Sequence, residues 1–139
     1  MDLNNLYRQM IMEHSKNSKN EGLLDNDNYS IEHLKNPTCG DDIKIQVLIE
    51  DDKIIDIRHK GEGCAICCAS ASMMSEILKG RTLDEAKKII LDFYDLVSGN
   101  IKIVEELGDA NALFGVSKFP TRIKCATISW KAVENLINR

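Results

Sequence analysis

The sequence predicts an α+β fold: a small antiparallel sheet of two to three strands with helices packed on one face. Two observations place the sheet and one places the helices. Residues 43–50 and 55–59 alternate apolar and polar side chains with period two, the pattern of half-buried strands. Asp51-Asp52 lies between them and is short enough for an antiparallel hairpin. Several other stretches repeat apolar residues at three- and four-residue steps, as amphipathic helices do.

Each element has its own signal. Leu3, Leu6, Tyr7, Met10, Ile11 and His14 mark a short helix over 3–14, followed by a polar loop over 15–30. Asn36-Pro37-Thr38-Cys39-Gly40-Asp41 is punctuated as a turn, and Gly61-Glu62-Gly63 as a strand break. Ile66, Ala69, Met73 and Ile77 form one stripe of a helix from Cys64 to Leu78, closed by Lys79-Gly80. Thr82 and Glu85 are spaced as a capping box, and the helix behind them carries Leu83, Ala86, Ile90, Phe93 and Val97 before stopping near Ser98-Gly99. Residues 100–109 suit a short helical piece, and Phe114–Pro120 a loop. Pro120 suits a first helical turn. Ile123, Thr127, Trp130, Val133 (or Glu134) and Ile137 mark the last helix. Met73, Met74 and Trp130 are expected in the core.

The chain has 139 residues and reads as one domain over 1–139. A chain of this size buries roughly 68% of its unfolded surface, so it needs neither disulfides nor metal merely to fold. Net charge is −4, which argues against a nucleic-acid partner. Apolar runs such as Ile89-Ile90-Leu91 are too short for a membrane span. No basic-then-apolar leader is visible at Met1-Asp2-Leu3, so a cytoplasmic protein is expected. In a reducing compartment, its five cysteines point to metal ligands or reactive thiols rather than disulfides.

Three cysteines fall at structural punctuation. Cys39 lies in a turn, Cys64 at a helix start and Cys125 near the start of the last helix. A helix N-terminus favours a thiolate. Asp41 follows Cys39 across one glycine, so the turn can offer sulfur and oxygen to one ion. Three thiolates and one carboxylate suit tetrahedral Zn²⁺, and thiolate softness also admits iron or an iron–sulfur cluster. Such a set leaves the site net negative, and Arg122 and Lys124 could offset that charge. No paired C-x₂-C pattern is present, and any one of these cysteines taken singly also reads as a small buried hydrophobe.

Four strings carry a resemblance. Asn36-Pro37-Thr38-Cys39-Gly40-Asp41, Gly61-Glu62-Gly63-Cys64-Ala65-Ile66, Ala69-Ser70-Ala71-Ser72-Met73-Met74 and the run Gly115–Thr127 resemble the SufU branch of the IscU/NifU-type iron–sulfur assembly proteins. The resemblance runs in order from the first helix to the last. The long interval between Cys64 and Cys125 is SufU-like, and Lys124 stands where IscU carries a histidine. A protonated lysine cannot ligate a metal.

The resemblance implies a SufE/IscU-like fold and one zinc held by Cys39, Asp41, Cys64 and Cys125. It also implies sulfur transfer in iron–sulfur cluster assembly. The chain would accept persulfide sulfur from a PLP-dependent cysteine desulfurase of the SufS type, acting as a sulfurtransferase-like acceptor rather than a free-standing enzyme. Other SUF assembly components are implied as further partners. In such proteins a desulfurase histidine is thought to exchange onto the zinc and free the cysteine matching Cys39, which makes Cys39 the catalytic thiol. The alternatives are a scaffold building a transient [2Fe–2S] cluster on the same residues, or a structural zinc module.

Cys67-Cys68 depart from the family pattern. They share the helix face of Cys64, so either could approach the metal or relay sulfur. Packing in a small-residue helix is the favoured reading. His59 reads as a satisfied edge histidine rather than a fourth ligand. His14 and His33 read as surface residues, and Asp51-Asp52 as a turn rather than a carboxylate pair.

Overall fold

The computed structural model describes residues 3–37, 39–101 and 103–139. Met1, Asp2, Thr38 of the expected turn and Lys102 of the expected 100–109 piece lie outside the described residues. The elements run α1 (Leu3–Lys16), β1 (Ser30–Asn36), β2 (Asp41–Glu50), β3 (Lys53–Glu62), α2 (Ala65–Leu78), α3 (Leu83–Val97), a 3-10 segment (Glu105–Lys118) and α4 (Pro120–Ile137). The sheet is antiparallel in the order β1-β2-β3.

Strand alternation decides what the sheet buries. Ile43, Ile45, Val47 and Ile57 face the helices, with α4 lying against β1 and β2 and α2 against β3. Asp51 and Asp52 close the β2–β3 hairpin with φ of 51° and 61°. That two-residue turn matches the twist of the flanking strands, and aspartate tolerates the left-handed region. A register shift at Leu48/Ile49 leaves Ile55 41% exposed. Both strands run longer than their alternation suggests. Gly61 is the clearest case, because it does not break β3 but pairs with Ile43. A Cβ there would lie 2.2 Å from the Asp42 carbonyl oxygen, so only glycine fits.

The non-helical stretch 17–29 first runs along the edge of β3, where Glu21 bridges to His59 and Lys19 and Asn20 bond Ser72 and Ser75 of α2, and then crosses the opposite face of the sheet. The Gln46 side chain exchanges two 2.8 Å hydrogen bonds with the Leu24 backbone. Arg58 donates to the Gly22 and Glu21 carbonyls, and the Tyr29 hydroxyl donates to Asp56. These polar anchors explain how so hydrophilic a segment stays docked.

The small residues of α2 let α4 approach closely. The Ser70 hydroxyl donates to the Ala126 carbonyl and accepts the Trp130 indole N–H at 2.9 Å. Trp130 stacks on Phe93 with ring centroids 3.9 Å apart. Trp130, Met73 and Met74 are fully buried, as expected. The Thr82–Glu85 capping box forms in both directions.

Two further expectations need correction. Residues 114–118 are not a loop: 3-10 turns run through them from Glu105, kinked at Gly108 (φ 49°, ψ −128°). The Asn111 side chain ties this segment together by bonding the Val104 amide and carbonyl and the Gly108 carbonyl. Such turns lack the 3.6-residue period by which helices are recognised. His14 is not a surface residue. It is 6% exposed, with Nδ1 2.7 Å from Ser72 Oγ and Nε2 2.9 Å from Asp109 Oδ2. It joins α1 to α2 and to the 3-10 segment. His33 is exposed and pairs with Asp42. Among the described residues, no helix is long and apolar enough to cross a membrane.

Candidate metal centre

One end of the sheet gathers three chain reversals: the β1–β2 turn, the β3–α2 junction and the first turns of α4. The β1–β2 turn is closed by the Cys39 amide, which donates to the Asn36 carbonyl at 3.2 Å. Gly40 takes φ +72°, the left-handed conformation that L side chains rarely adopt. The chain therefore reverses within four residues, with Cys39 half-buried at its tip and Asp41 2% exposed at the head of β2.

Asp41 is fixed by both carboxylate oxygens. Oδ1 accepts the backbone amide of Cys64 at 3.2 Å, and Oδ2 accepts the Asn36 side-chain amide at 3.3 Å. The same Asn36 amide faces Cys125 Sγ at 3.9 Å. Asn36 is buried and pairs across the ladder with Asp41. In the sequence alone it stands only as part of the turn motif Asn36–Asp41. Its period-two position opposite a carboxylate becomes visible once β1 is recognised.

Gly63 explains the approach of the β3–α2 junction. A Cβ at this position would lie 2.5 Å from Asp41 Oδ1 and 3.2 Å from Cys67 Cβ. The glycine is needed for close backbone contact with the carboxylate.

The donor atoms of Cys39, Asp41 and Cys125 all lie within 4.8 Å of one another. Cys39 Sγ and Cys125 Sγ are each 3.7 Å from the Thr121 carbonyl oxygen. Cys64 is outside this compact trio. Its sulfur borders Cys125 and the Arg122 guanidinium. Of the two expected basic residues, Arg122 is thus at the thiols, and the Cys64 and Cys125 sulfurs raise its guanidinium further above its ordinary range. Lys124 is exposed.

Burial pushes the Cys125 thiol well above its ordinary value, and the neighbouring Asp41, Cys39 and Cys64 groups push it the same way. Crowded anionic donors of this kind are stabilised by one shared cation. Three thiols and a carboxylate fit a borderline-soft, tetrahedral ion such as Zn²⁺, and equally an iron–sulfur unit.

The remaining candidates stand outside the trio. Cys67 is 2% exposed, and burial, with Asp41 next, pushes its thiol up strongly. It packs in the core, as its place in a small-residue helix suggests. Cys68 is half-buried, with its sulfur 3.8 Å from the Gly63 carbonyl oxygen. His59 is buried on β3, where its backbone bridges to Glu21, and Nε2 meets the Lys19 carbonyl oxygen at 2.7 Å. It is a satisfied edge histidine rather than a ligand.

Comparison with known proteins agrees with this architecture. A family model described as the NifU-like N terminal domain matches residues 6–126. The chain is 47% identical to the zinc-dependent sulfurtransferase SufU of Bacillus subtilis, over 96% of this chain and 90% of that protein. It is 42% identical to the iron–sulfur cluster assembly scaffold protein IscU of Streptococcus pyogenes, over 99% of this chain and 86% of the relative. Among solved structures, a crystal structure of a hypothetical protein superposes with a TM-score of 0.90 at 42% identity, covering 99% of this chain and 100% of the other. A putative scaffold protein for the SUF system from Fervidobacterium islandicum superposes with a TM-score of 0.86 at 32% identity, covering 96% and 98% of the two chains.

Proposed function

The chain belongs to the NifU-like N-terminal domain family, as a SufU-type member of the IscU/NifU group of iron–sulfur cluster assembly proteins. From that premise we propose that it is a zinc-dependent sulfur-transfer partner of a PLP-dependent cysteine desulfurase of the SufS type. Cys39, Asp41, Cys64 and Cys125 hold one zinc, and Cys39 takes the sulfur. The observation that carries this reading is the meeting of Cys39, Asp41 and Cys125 within 4.8 Å while Cys39 stays half-buried on a turn.

Zinc, when bound, keeps its thiol ligands deprotonated at neutral pH. The chain's own residues divide the remaining work. Cys125 sits in a helix with no exposure and Cys64 caps another, so both act as anchors. Cys39 is held by one backbone turn around Gly40 and has the freedom to swing outward. Its thiolate attacks the outer sulfur of the desulfurase persulfide. A new S–S bond forms at Cys39, the donor S–S bond breaks, and the electron pair leaves on the donor thiolate. Arg122, exposed beside Cys64 and Cys125, offsets negative charge as sulfur arrives. In this reading the 139 residues act as one domain in the cytoplasm, alongside other SUF components.

A second reading has its own support in the likeness to the Streptococcus pyogenes scaffold: a transient [2Fe–2S] cluster assembled on the same residues. Anaerobic purification separates the two. Colourless protein with about one zinc per chain supports sulfur transfer, while brown protein with acid-labile sulfide supports the scaffold. The decisive assay is desulfurase turnover with and without this chain. Strong stimulation that disappears with Cys39→Ala supports the proposal, and undiminished stimulation by Cys39→Ala overturns it.

A further inference from the structure

We propose that Cys64 and Cys67 form a reversible disulfide that withdraws Cys64 from the metal-binding set, making the head of α2 an oxidation site for hydroperoxides. The inference rests on the reading of Cys64 as a metal ligand.

Cys64-Ala65-Ile66-Cys67 is a Cys-x-x-Cys set at a helix start, with Cys64 as N-cap and Cys67 as the third helical residue. Residues with this spacing lie about 5 Å apart in a helix, inside the ~4.4–6.8 Å Cα window of disulfides. An N-cap side chain also naturally folds toward the third helical residue. The Cys64 side chain makes no capping hydrogen bond, so its sulfur is not tethered to the backbone of α2.

Access to the two sulfurs is unequal in the useful sense. Cys64 is half-buried, and Cys67 is 2% exposed beneath it. An oxidant therefore meets Cys64 first, and Cys67 is shielded until it is needed. Gly63 brings the chain close over this spot, since even a Cβ there would lie 3.2 Å from Cys67 Cβ. Cys68 is the rival partner, but its sulfur is engaged with the Gly63 carbonyl oxygen. Cys39 and Cys125 already share the Thr121 carbonyl and the metal-binding set. Cys67 is the thiol next to a ligand cysteine that has neither commitment.

The chemistry balances with one hydroperoxide. The Cys64 thiolate takes one oxygen of hydrogen peroxide, the O–O bond breaks, and hydroxide leaves and takes a proton from solvent to become the first water, giving a sulfenic acid. The Cys67 sulfur then attacks the Cys64 sulfur. The S–S bond forms, the S–O bond breaks, and a second water leaves with the Cys67 proton. Two electrons have passed from two thiols to one peroxide. A disulfide sulfur carries no charge and is a poor metal ligand, so the site loosens.

The test uses the zinc-loaded full chain treated with hydrogen peroxide. A chromophoric chelator follows zinc release, and mass spectrometry without reduction maps the disulfides. The expected result is a Cys64–Cys67 disulfide formed in step with zinc release, with both reversed by a thiol reductant. Cys67→Ala should hold zinc normally before treatment, because Cys67 lies outside the ligand set. After treatment, its reductant-reversible zinc release should fall at least about ten-fold, as Cys64 proceeds to sulfinic acid. A disulfide mapped to Cys64–Cys68, Cys39–Cys125 or any other pair overturns the proposal, as does unchanged reversible release in Cys67→Ala. If that variant does not fold, the map on the unsubstituted chain decides. A chain that binds no zinc defeats the ligand reading, while the disulfide map still tests the pair, so the two failures are distinct.

Discussion

The Asp41 carboxylate accepts the backbone amide of Cys64 at 3.2 Å, tying the head of β2 to the head of α2. One residue thereby has two jobs: it presents an oxygen to the cysteines and holds in register the junction that carries Cys64. The first two predictions separate these jobs.

Asp41→Ala removes both the carboxylate donor and the tether. Zinc affinity, measured by chelator competition, should fall by at least about ten-fold. The metal-free chain should also lose about 1–3 kcal/mol, because a buried amide is left without its charged acceptor. Unchanged metal affinity would remove Asp41 from the ligand set.

Gly63→Ala places a Cβ 2.5 Å from Asp41 Oδ1, closer than two such atoms can approach. The carboxylate must move or the junction must open. The expected cost is about 1–3 kcal/mol in urea unfolding, together with weaker zinc binding, although the substituted residue is no ligand. A variant with wild-type affinity and stability would show that the junction relaxes freely.

Cys39→Ala should abolish persulfide acceptance from the desulfurase while leaving part of the zinc bound by Asp41, Cys64 and Cys125. Mass spectrometry of the chain after one desulfurase turnover reads the first, and metal analysis the second. Sulfur found on the variant at the wild-type level would assign the acceptor role to another cysteine.

Burial is the main cause holding His59 below its ordinary 6.5, against the opposing pull of the Lys19 carbonyl. The unfolded chain therefore takes up a proton where the folded chain does not. Stability from this residue is intact above about pH 6.5, declines as pH falls through that value, and levels off below the folded pKa. His59→Gln should lower stability throughout but flatten this decline in urea unfolding between about pH 7.5 and 5. An equally steep decline in the variant would place the acid sensitivity elsewhere.

Chelation should leave the chain folded. Trp130, Phe93, Met73, Met74 and the inward isoleucines are buried without help from the metal site, so circular dichroism should persist after metal removal and only the local site should loosen. Cooperative unfolding on chelation would instead mark a zinc-dependent fold.

Legibility in the sequence tracked the range of the interaction. The β2–β3 hairpin, the Thr82–Glu85 box and the stripes of α3 and α4 are written in neighbours two to four residues apart, and they were readable there. The 3-10 segment escaped because its turns carry no 3.6-residue period, and β1 because its burial is decided by α4 lying against it. The burial of His14 is illegible for a related reason: its partners, Ser72 and Asp109, are distant in sequence. At the site, the residue types and the turn glycine were legible. The role of Asn36 and the need for glycine at 63 were not.

Local chemistry along the chain therefore determined the kinds of element, the residues able to hold a soft cation and the expectation that the chain folds without one. Tertiary structure alone decided which donors meet. It drew Cys39, Asp41 and Cys125 into one cluster, set Cys64 at its border and put Cys67 beneath that border. Sequence spacing constrains side chains only within an element, whereas distances between the ends of different elements follow from how the sheet and helices bury their apolar faces against one another.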